Sequence, residues 1–311
     1  VPRTEGEIGE HVPLSGHQYS IACGDFEAHV ASVGGALRAL TYCGEYLISP
    51  FDEDELMPGM RGAILAPWPN RIRDGAYTFS GSQYQLPINE IVTGNASHGF
   101  AFMQGFTLHE QTEDSVTLRA CLEPQRGYPW RIRLEVRFSV TEEGFTERIT
   151  ATNLSGSAAP FGMAVHPYCL AGPEKPNGVN DWLLQVPAST FLRTDDRLLP
   201  TVDASVDADG GVFDFRKARP IGNTELDTAF TGFDGNVRLT DKSGHGVEVI
   251  LGDGVRWVQI YSAHKAPGSG YRASLAVEPM TCPADAFNSG RDVVILEPGD
   301  ETALEWAIRR I

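Results

Sequence analysis

Cysteine is scarce in this sequence and follows no spacing rule. The five residues, Cys23, Cys43, Cys121, Cys169 and Cys282, are odd in number and scattered, with no C-x-x-C pair, so neither a disulfide framework nor a zinc ribbon is indicated. Long apolar runs are missing as well. Nowhere do the roughly 18 consecutive apolar residues needed to span a bilayer occur. The start, Val1-Pro2-Arg3-Thr4-Glu5-Gly6-Glu7, has no basic segment followed by an apolar one that would read as a secretion signal. Together these absences predict a cytoplasmic protein.

Positive charge is also in short supply. Lys and Arg number 25 against 41 Asp and Glu, a formal net charge of −16, and no basic run overrides the average. A chain this acidic repels polyphosphates and anionic lipid surfaces, so neither nucleic acid nor a membrane is expected as a partner. Several catalytic signatures are absent: there is no Walker A loop, no H-E-x-x-H and no G-x-S-x-G. Gly268-Ser269-Gly270-Tyr271-Arg272-Ala273 matches the dinucleotide pattern in form, but that motif must open a helix, and here a strand pattern follows. No two of the eight histidines lie three or four apart, and no carboxylate or thiol is spaced with them as a ligand set, so no metal is expected.

Glycine and proline, by contrast, are plentiful at 33 and 20 residues, which suits short strands joined by tight turns. Period-two alternation dominates. From Arg131 to Val140, Ile132, Leu134, Val136, Phe138 and Val140 face one way while Arg131, Arg133, Glu135, Arg137 and Ser139 face the other. The next segment sets Phe145, Glu147, Ile149 and Ala151 against Thr146, Arg148, Thr150 and Thr152, with Glu142-Glu143-Gly144 as the hairpin turn. Further strands are predicted near residues 19–23, 37–42, 77–80, 106–110, 115–122, 182–186, 237–240, 247–251, 257–262, 275–278, 293–296 and 302–308. Helical periodicity is absent over any window of about a dozen residues, and no linker or fixed repeat divides the chain. One large antiparallel β-sandwich spanning residues 1–311 is the economical reading, with the acidic, small-residue stretch Asp203 to Gly211 as a surface loop.

Six segments place a polar or ionisable side chain at the end of an apolar strand or beside Gly and Pro. They are Pro67-Trp68-Pro69-Asn70-Arg71-Ile72, Asn95-Ala96-Ser97-His98-Gly99-Phe100, Val165-His166-Pro167-Tyr168, Leu226-Asp227-Thr228-Ala229-Phe230, Trp257-Val258-Gln259-Ile260-Tyr261 and Val277-Glu278-Pro279-Met280-Thr281-Cys282-Pro283. In this order, running from about Gly62 to Leu296-Glu297-Pro298-Gly299, the chain resembles the aldose 1-epimerase (mutarotase) family. The resemblance implies a large antiparallel β-sandwich with a sugar in an open cleft. It also implies that Glu278 is the catalytic base and His166 the catalytic acid, and that Arg71, His98 and Asp227 hold the sugar hydroxyls and ring oxygen. Asn70 and, more loosely, Gln259 join the substrate-binding set.

The implied chemistry needs these residue types. Exchanging α and β anomers requires loss of the C1 hydroxyl proton while the ring oxygen gains one, so one base and one acid act together and no cofactor or metal is called for. A carboxylate and an imidazole, with reference values near ~4.3 and ~6.5, supply those states around neutrality once their surroundings shift them. At two places the pattern departs from the galactose-type enzymes: Met280 stands two residues after Glu278, and His166-Pro167-Tyr168-Cys169-Leu170 surrounds the acid. The resemblance therefore carries the reaction and not galactose as its substrate. His98-Gly99-Phe100-Ala101 is also similar to hexose-6-phosphate 1-epimerases, for which Arg61, Arg73 and Lys265 are phosphate contacts by residue type alone. Two readings from other classes stand beside these: a non-catalytic carbohydrate-binding protein, and a glycoside hydrolase using Glu278 and Asp227 as paired carboxylates. Trp68, Phe100, Tyr168 and Trp257 are expected as core or cleft walls. The remaining histidines, His11, His17, His29, His109, His245 and His264, are expected to be surface or structural. The expected partner is a small-molecule sugar, and the subunit number is left open.

Overall fold

The computed structural model describes residues 11–311, so the start read above, residues 1–7, lies outside the described residues. The alternation around residue 131 becomes the strand Ile132–Thr141, in which Ile132, Leu134, Val136, Phe138 and Val140 are buried and Arg133, Arg137 and Thr141 are exposed. It turns through Glu142-Glu143 into Gly144–Asn153, a pairing ten residues long. Gly144 opens the second strand at a φ of +149°, and a Cβ there would lie 2.3 Å from the carbonyl oxygen of Ile308. Only glycine lets the Glu301–Arg310 strand approach this closely.

These strands belong to a nine-stranded sheet that runs from Thr107–Gln111 through Ser115–Leu122, the hairpin and Glu301–Arg310 to Gly246–Leu251, Val237–Thr240, Leu183–Gln185 and Arg219–Pro220. A second, eight-stranded sheet runs Pro200–Ser205, Ala188–Thr194, Asp227–Phe233, Trp257–Tyr261, Leu275–Met280, Ala164–Val165 and Ile64–Leu65, with Tyr168–Cys169 also pairing with Leu275–Met280. A four-stranded meander, Gln18–Cys23, Phe26–Ala31, Ala36–Tyr42 and Glu45–Tyr46, forms a separate sheet whose first two strands pack against the nine-stranded one. Ladders between the strands are antiparallel, and the one α-helix among the described residues is the single turn Ala286–Ser289.

The core explains why the sheets stack. Phe138, Phe145, Leu304 and Trp306 from the nine-stranded sheet and Phe230, Val258, Ile260, Leu275 and Val277 from the eight-stranded sheet are all buried in one cluster. Each such side chain contributes about 1.5–3 kcal/mol on leaving water. The chain is therefore the antiparallel β-sandwich its alternation predicts. The expected loop from Asp203 to Gly211 is in part a strand. Pro200–Ser205 pairs with Ala188–Thr194 at the sheet edge, burying Ala204 while Asp203 faces out and pairs with Arg291. Acidic and small residues are compatible with an edge strand because only alternate side chains turn inward.

Candidate active site

Four neighbouring strands of the eight-stranded sheet bring the polar residues together. Glu278 lies in the fully buried strand Leu275–Met280 and sits directly across from Gln259. Gln259 in turn sits across from Ala229, and Tyr261 from Asp227, so the strand Asp227–Phe233 delivers Asp227 two residues along from the Gln259 pair. Residues two apart share a face of the sheet, which places Asp227, Gln259 and Glu278 on one side. His166 immediately follows Ala164–Val165, the strand on the other flank of Leu275–Met280.

The remaining residues come from a two-residue ladder. Arg71–Ile72 pairs with Ala96–Ser97 in the register Arg71 to Ser97, which puts Asn70 and His98 at the same end. The His98 N–H donates to the Asn70 carbonyl at 2.8 Å, and the Asn70 N–H donates to His98 Nδ1 at 3.2 Å. That second bond makes Nδ1 the acceptor nitrogen, so a neutral His98 carries its proton on Nε2. Asn70 and His98 both lie in the left-handed region, at φ of +55° and +63°. Side chains rarely adopt it without compensation, and here the reciprocal bonds supply it.

All seven residues expected from the sequence, Asn70, Arg71, His98, His166, Asp227, Gln259 and Glu278, line one cleft of about 1280 Å³. At its floor His166 Nε2 stands 3.4 Å from Glu278 Oε1, with the two side chains only 7% and 3% exposed. The His166 ring stacks on Tyr168 at 5.0 Å and 17°, and meets the His98 ring edge-on at 5.8 Å. Its Nδ1 is buried without a hydrogen-bond partner. Packing against rings thus orients this imidazole. Asp227 is engaged at both oxygens: Gln259 donates to Oδ1 at 2.8 Å and Lys265 to Oδ2 at 2.9 Å.

Burial sets the protonation states. It lifts the Glu278 carboxyl well above its ordinary range, helped by the charge of Asp227 and opposed by Arg71. It pushes the His166 imidazole down to about 4, against a smaller upward pull from its own main chain and Asp227. His98 is likewise pushed well below its usual value by burial and then by His166 and Arg71. A lone buried carboxylate or imidazolium is costly, but a neutral pair and an ion pair at this separation hold the same single proton. The shifts favour the neutral pair in the free site, with the proton on Glu278.

Two features escaped the sequence reading. Glu90 forms a two-pronged pair with Arg71, accepting from Nε and Nη2 at 2.8 Å each, while Arg71 Nη1 donates to Asn70 Oδ1 at 2.7 Å. Burial works against the Glu90 charge, but these bonds outweigh it and hold the carboxyl below its ordinary value. Nothing in Asn89-Glu90-Ile91 marks it locally, because its partner is 19 residues away. The second feature is the fate of the cations considered for a phosphate. Arg61 pairs with Glu174 and Lys265 with Asp227 on the cleft wall, whereas Arg73 pairs with Asp285 and does not line the cleft. The two that reach the cleft are thus each already paired with a carboxylate. Lys175 is a further cation on the lining, where carboxylates outnumber cations seven to four.

Trp68 and Phe100 pack edge-on at 5.0 Å in the core, Trp257 is buried in a smaller cluster, and Tyr168 lines the cleft. None of the six remaining histidines lines it. Among the described residues, no group of three or more His, Cys, Asp or Glu is arranged to hold a metal ion, the five cysteines are free, and no helix is long and apolar enough to cross a membrane.

Comparison with known proteins points in one direction. Residues 17–309 match the sequence model of the family described as Aldose 1-epimerase. An uncharacterized protein of Escherichia coli K12, YihR, is 36% identical over 287 residues, covering 92% of this chain and 90% of that protein. Human galactose mutarotase is 29% identical over 184 residues, 57% of this chain and 52% of that enzyme. Among solved structures, the GalM/aldose epimerase homologue from C. elegans superposes with a TM-score of 0.83 at 21% identity, over 95% of this chain and 98% of that one, a likeness of fold.

Proposed function

This chain belongs to the aldose 1-epimerase family, and we propose that it is a mutarotase that interconverts the α and β anomers of an aldose by general acid and base catalysis without a cofactor. The observation that carries this reading is the buried His166 and Glu278 pair, 3.4 Å apart at the cleft floor. The reacting form is the ion pair, the minor form of the free site, in which Glu278 is the carboxylate and His166 the imidazolium. Glu278 takes the proton from the C1 hydroxyl, His166 gives one to the ring oxygen, and the bond between C1 and the ring oxygen breaks. The open-chain aldehyde then faces a neutral pair. After rotation about the C1–C2 bond, Glu278 returns its proton to the carbonyl oxygen, His166 takes back the hydroxyl proton, and the ring closes on the other face.

Each step conserves the one proton the pair holds, which is why opposite shifts of the two groups suit the reaction. Arg71, His98 through its Nε2–H, Asn70, Asp227 and Gln259 orient the sugar hydroxyls, a contribution that comes from fixing geometry. With both Asp227 oxygens already engaged by Gln259 and Lys265, this carboxylate is poorly placed as the second catalytic group of a glycoside hydrolase. The pairing of Arg61 and Lys265 with carboxylates and the acidic lining likewise favour a free aldose over its phosphate.

The test is polarimetry on freshly dissolved α-D-glucose and α-D-galactose. Wild type should hasten the approach to the same final rotation. Glu278→Gln and His166→Asn should each lose about 10²- to 10⁴-fold in kcat, the usual worth of a positioned acid or base. Full activity in Glu278→Gln would sink the assignment.

A further inference from the structure

Arg71 reaches the cleft from a two-residue strand, and its guanidinium is held by Glu90, a residue on the loop between Ser82–Gln85 and Ala96–Ser97. Apolar packing does not fix that loop, because Ile91 and Val92 at its tip are 86% and 99% exposed. Its own polar bonds hold it, with Asn89 exchanging bonds with the Ser97 main chain and the Thr93 hydroxyl donating to Glu90 Oε2, and one side chain from elsewhere clamps it further. Arg197 lies in the turn joining Ala188–Thr194 to Pro200–Ser205, about a hundred residues further along the chain. Its Nε donates to the Thr93 carbonyl at 2.7 Å, and its Nη2 lies within reach of the Gly94 carbonyl at 3.2 Å and Asn95 Oδ1 at 3.1 Å. Asn95, fully buried, returns a bond from Nδ2 to the Arg197 carbonyl at 3.0 Å. The same Nη2 meets Asp74 Oδ1 at 2.7 Å, three residues beyond Arg71. The turn carrying Arg197 is itself rigid, since Asp195 Oδ1 accepts from the N–H groups of Arg197 and Leu199.

Arg197 therefore grips the chain on both sides of the Arg71 and Glu90 pair. Arg71 carries a long side chain with many rotamers, so its aim depends on the carboxylate behind it. We propose that Arg197 and Glu90 are positioning residues acting in series: Arg197 fixes the 93–95 segment and Asp74, this holds Glu90 in register, and Glu90 sets the direction in which Arg71 presents its free N–H groups to the sugar. The inference rests on the mutarotase reading for its kinetic part, and it goes beyond that reading in naming residues outside the sugar-contacting set.

The test uses wild type, Arg197→Ala, Arg197→Lys, Glu90→Gln and the Arg197→Ala/Glu90→Gln double variant, each checked for an unchanged circular dichroism spectrum. In mutarotation assays, Arg197→Ala should raise KM about tenfold with kcat within about threefold, since orientation of bound sugar is lost while the acid and base pair is untouched. Arg197→Lys should recover part of the loss through a single retained contact. The double variant should be no worse than Glu90→Gln within about twofold, because residues acting in series are not additive. Independently of any sugar, the Arg71 Nε–H resonance, assigned by its absence in Arg71→Lys, should exchange with solvent at least about tenfold faster in Arg197→Ala. An unchanged Arg71 Nε–H exchange rate, or KM effects that multiply in the double variant, would overturn the proposal. Should Arg197→Ala not fold, Arg197→Lys with Glu90→Gln gives the same cycle. Failure of wild type to mutarotate refutes the function reading, and the exchange measurement still decides the relay.

Discussion

Glu147 offers a test of the fold that is independent of the cleft. The strand alternation turns it inward beside Phe145 and Ile149, and the structure buries it completely, across from Phe138 on one neighbouring strand and Trp306 on the other. Trp306 Nε1–H donates to Oε2 at 3.0 Å, while Oε1 has no partner. Burial raises the carboxyl from 4.5 to about 8, with the Trp306 bond pulling weakly the other way. A carboxyl raised in the folded state contributes stability fully below its unfolded value and loses it progressively as pH rises through the folded one. Relative to a neutral amide, ionisation of the unfolded chain then costs about 1.4 kcal/mol per pH unit between those limits, or about 2 kcal/mol at pH 6 and about 4 kcal/mol at pH 8. Glu147→Gln should therefore stabilise the protein by an amount that grows by about 2 kcal/mol from pH 6 to pH 8. Packing differences between acid and amide do not vary with pH, so the growth isolates ionisation. Urea unfolding of both proteins at these two values reads it, safely above the sequence pI of about 4.9, where solubility is lowest. A stability difference that stays constant across the range would refute the argument that this carboxyl is held protonated by the core.

Two further outcomes follow from the same geometry. On the proposed mechanism, in which the His166 and Glu278 pair holds one proton, kcat/KM should show no inflection near the ordinary imidazole value of ~6.5. The acid limb should lie towards the depressed His166 value of about 4, and the alkaline limb should come only as the raised Glu278 carboxyl finally ionises. A pH and rate profile from about pH 5 to pH 9 that halves near 6.5 contradicts this. At Gly99, whose φ is +68°, a Cβ would sit 2.1 Å from the carbonyl oxygen of Ala66. Gly99→Ala should cost more than about 2 kcal/mol by left-handed strain and backbone displacement, and should move the adjacent His98. Thermal unfolding together with polarimetry checks it, and a wild-type melting temperature with wild-type rate shows the backbone contact to be irrelevant.

Much of this was readable residue by residue. The hairpin from Ile132 to Asn153 follows from alternation over two ten-residue strands, since the pleat puts every second side chain in the core. Strands with weaker contrast escaped. Phe26–Ala31 dilutes its pattern with alanine, and Ala188–Thr194 mixes polar with apolar residues. Asp227–Phe233 carries a glycine, and its first residue drew attention as a site. These strands acquire their state from pairing on both sides, as Asp227–Phe233 does with Ala188–Thr194 and Trp257–Tyr261. Such tertiary partners outweigh weak local preference.

The site divides in the same way. Residues embedded in local motifs, such as Asn70, His98, His166 and Glu278, were recognisable because each sits where an apolar strand breaks at Gly, Pro or a polar residue. Glu90 and Arg197 were not, because what distinguishes them is the partner across the fold, and no spacing along the chain encodes it. Sequence alone thus settled the strand class, the family resemblance and the residue types available for acid and base chemistry, all of which rest on local order. Only the tertiary structure decided which carboxylate is free and which is engaged, that the His166 imidazole and Glu278 meet in a buried site, and that Glu90 backs Arg71. Desolvation and hydrogen bonding depend on surroundings in three dimensions, and in this chain those surroundings are assembled from segments up to about two hundred residues apart.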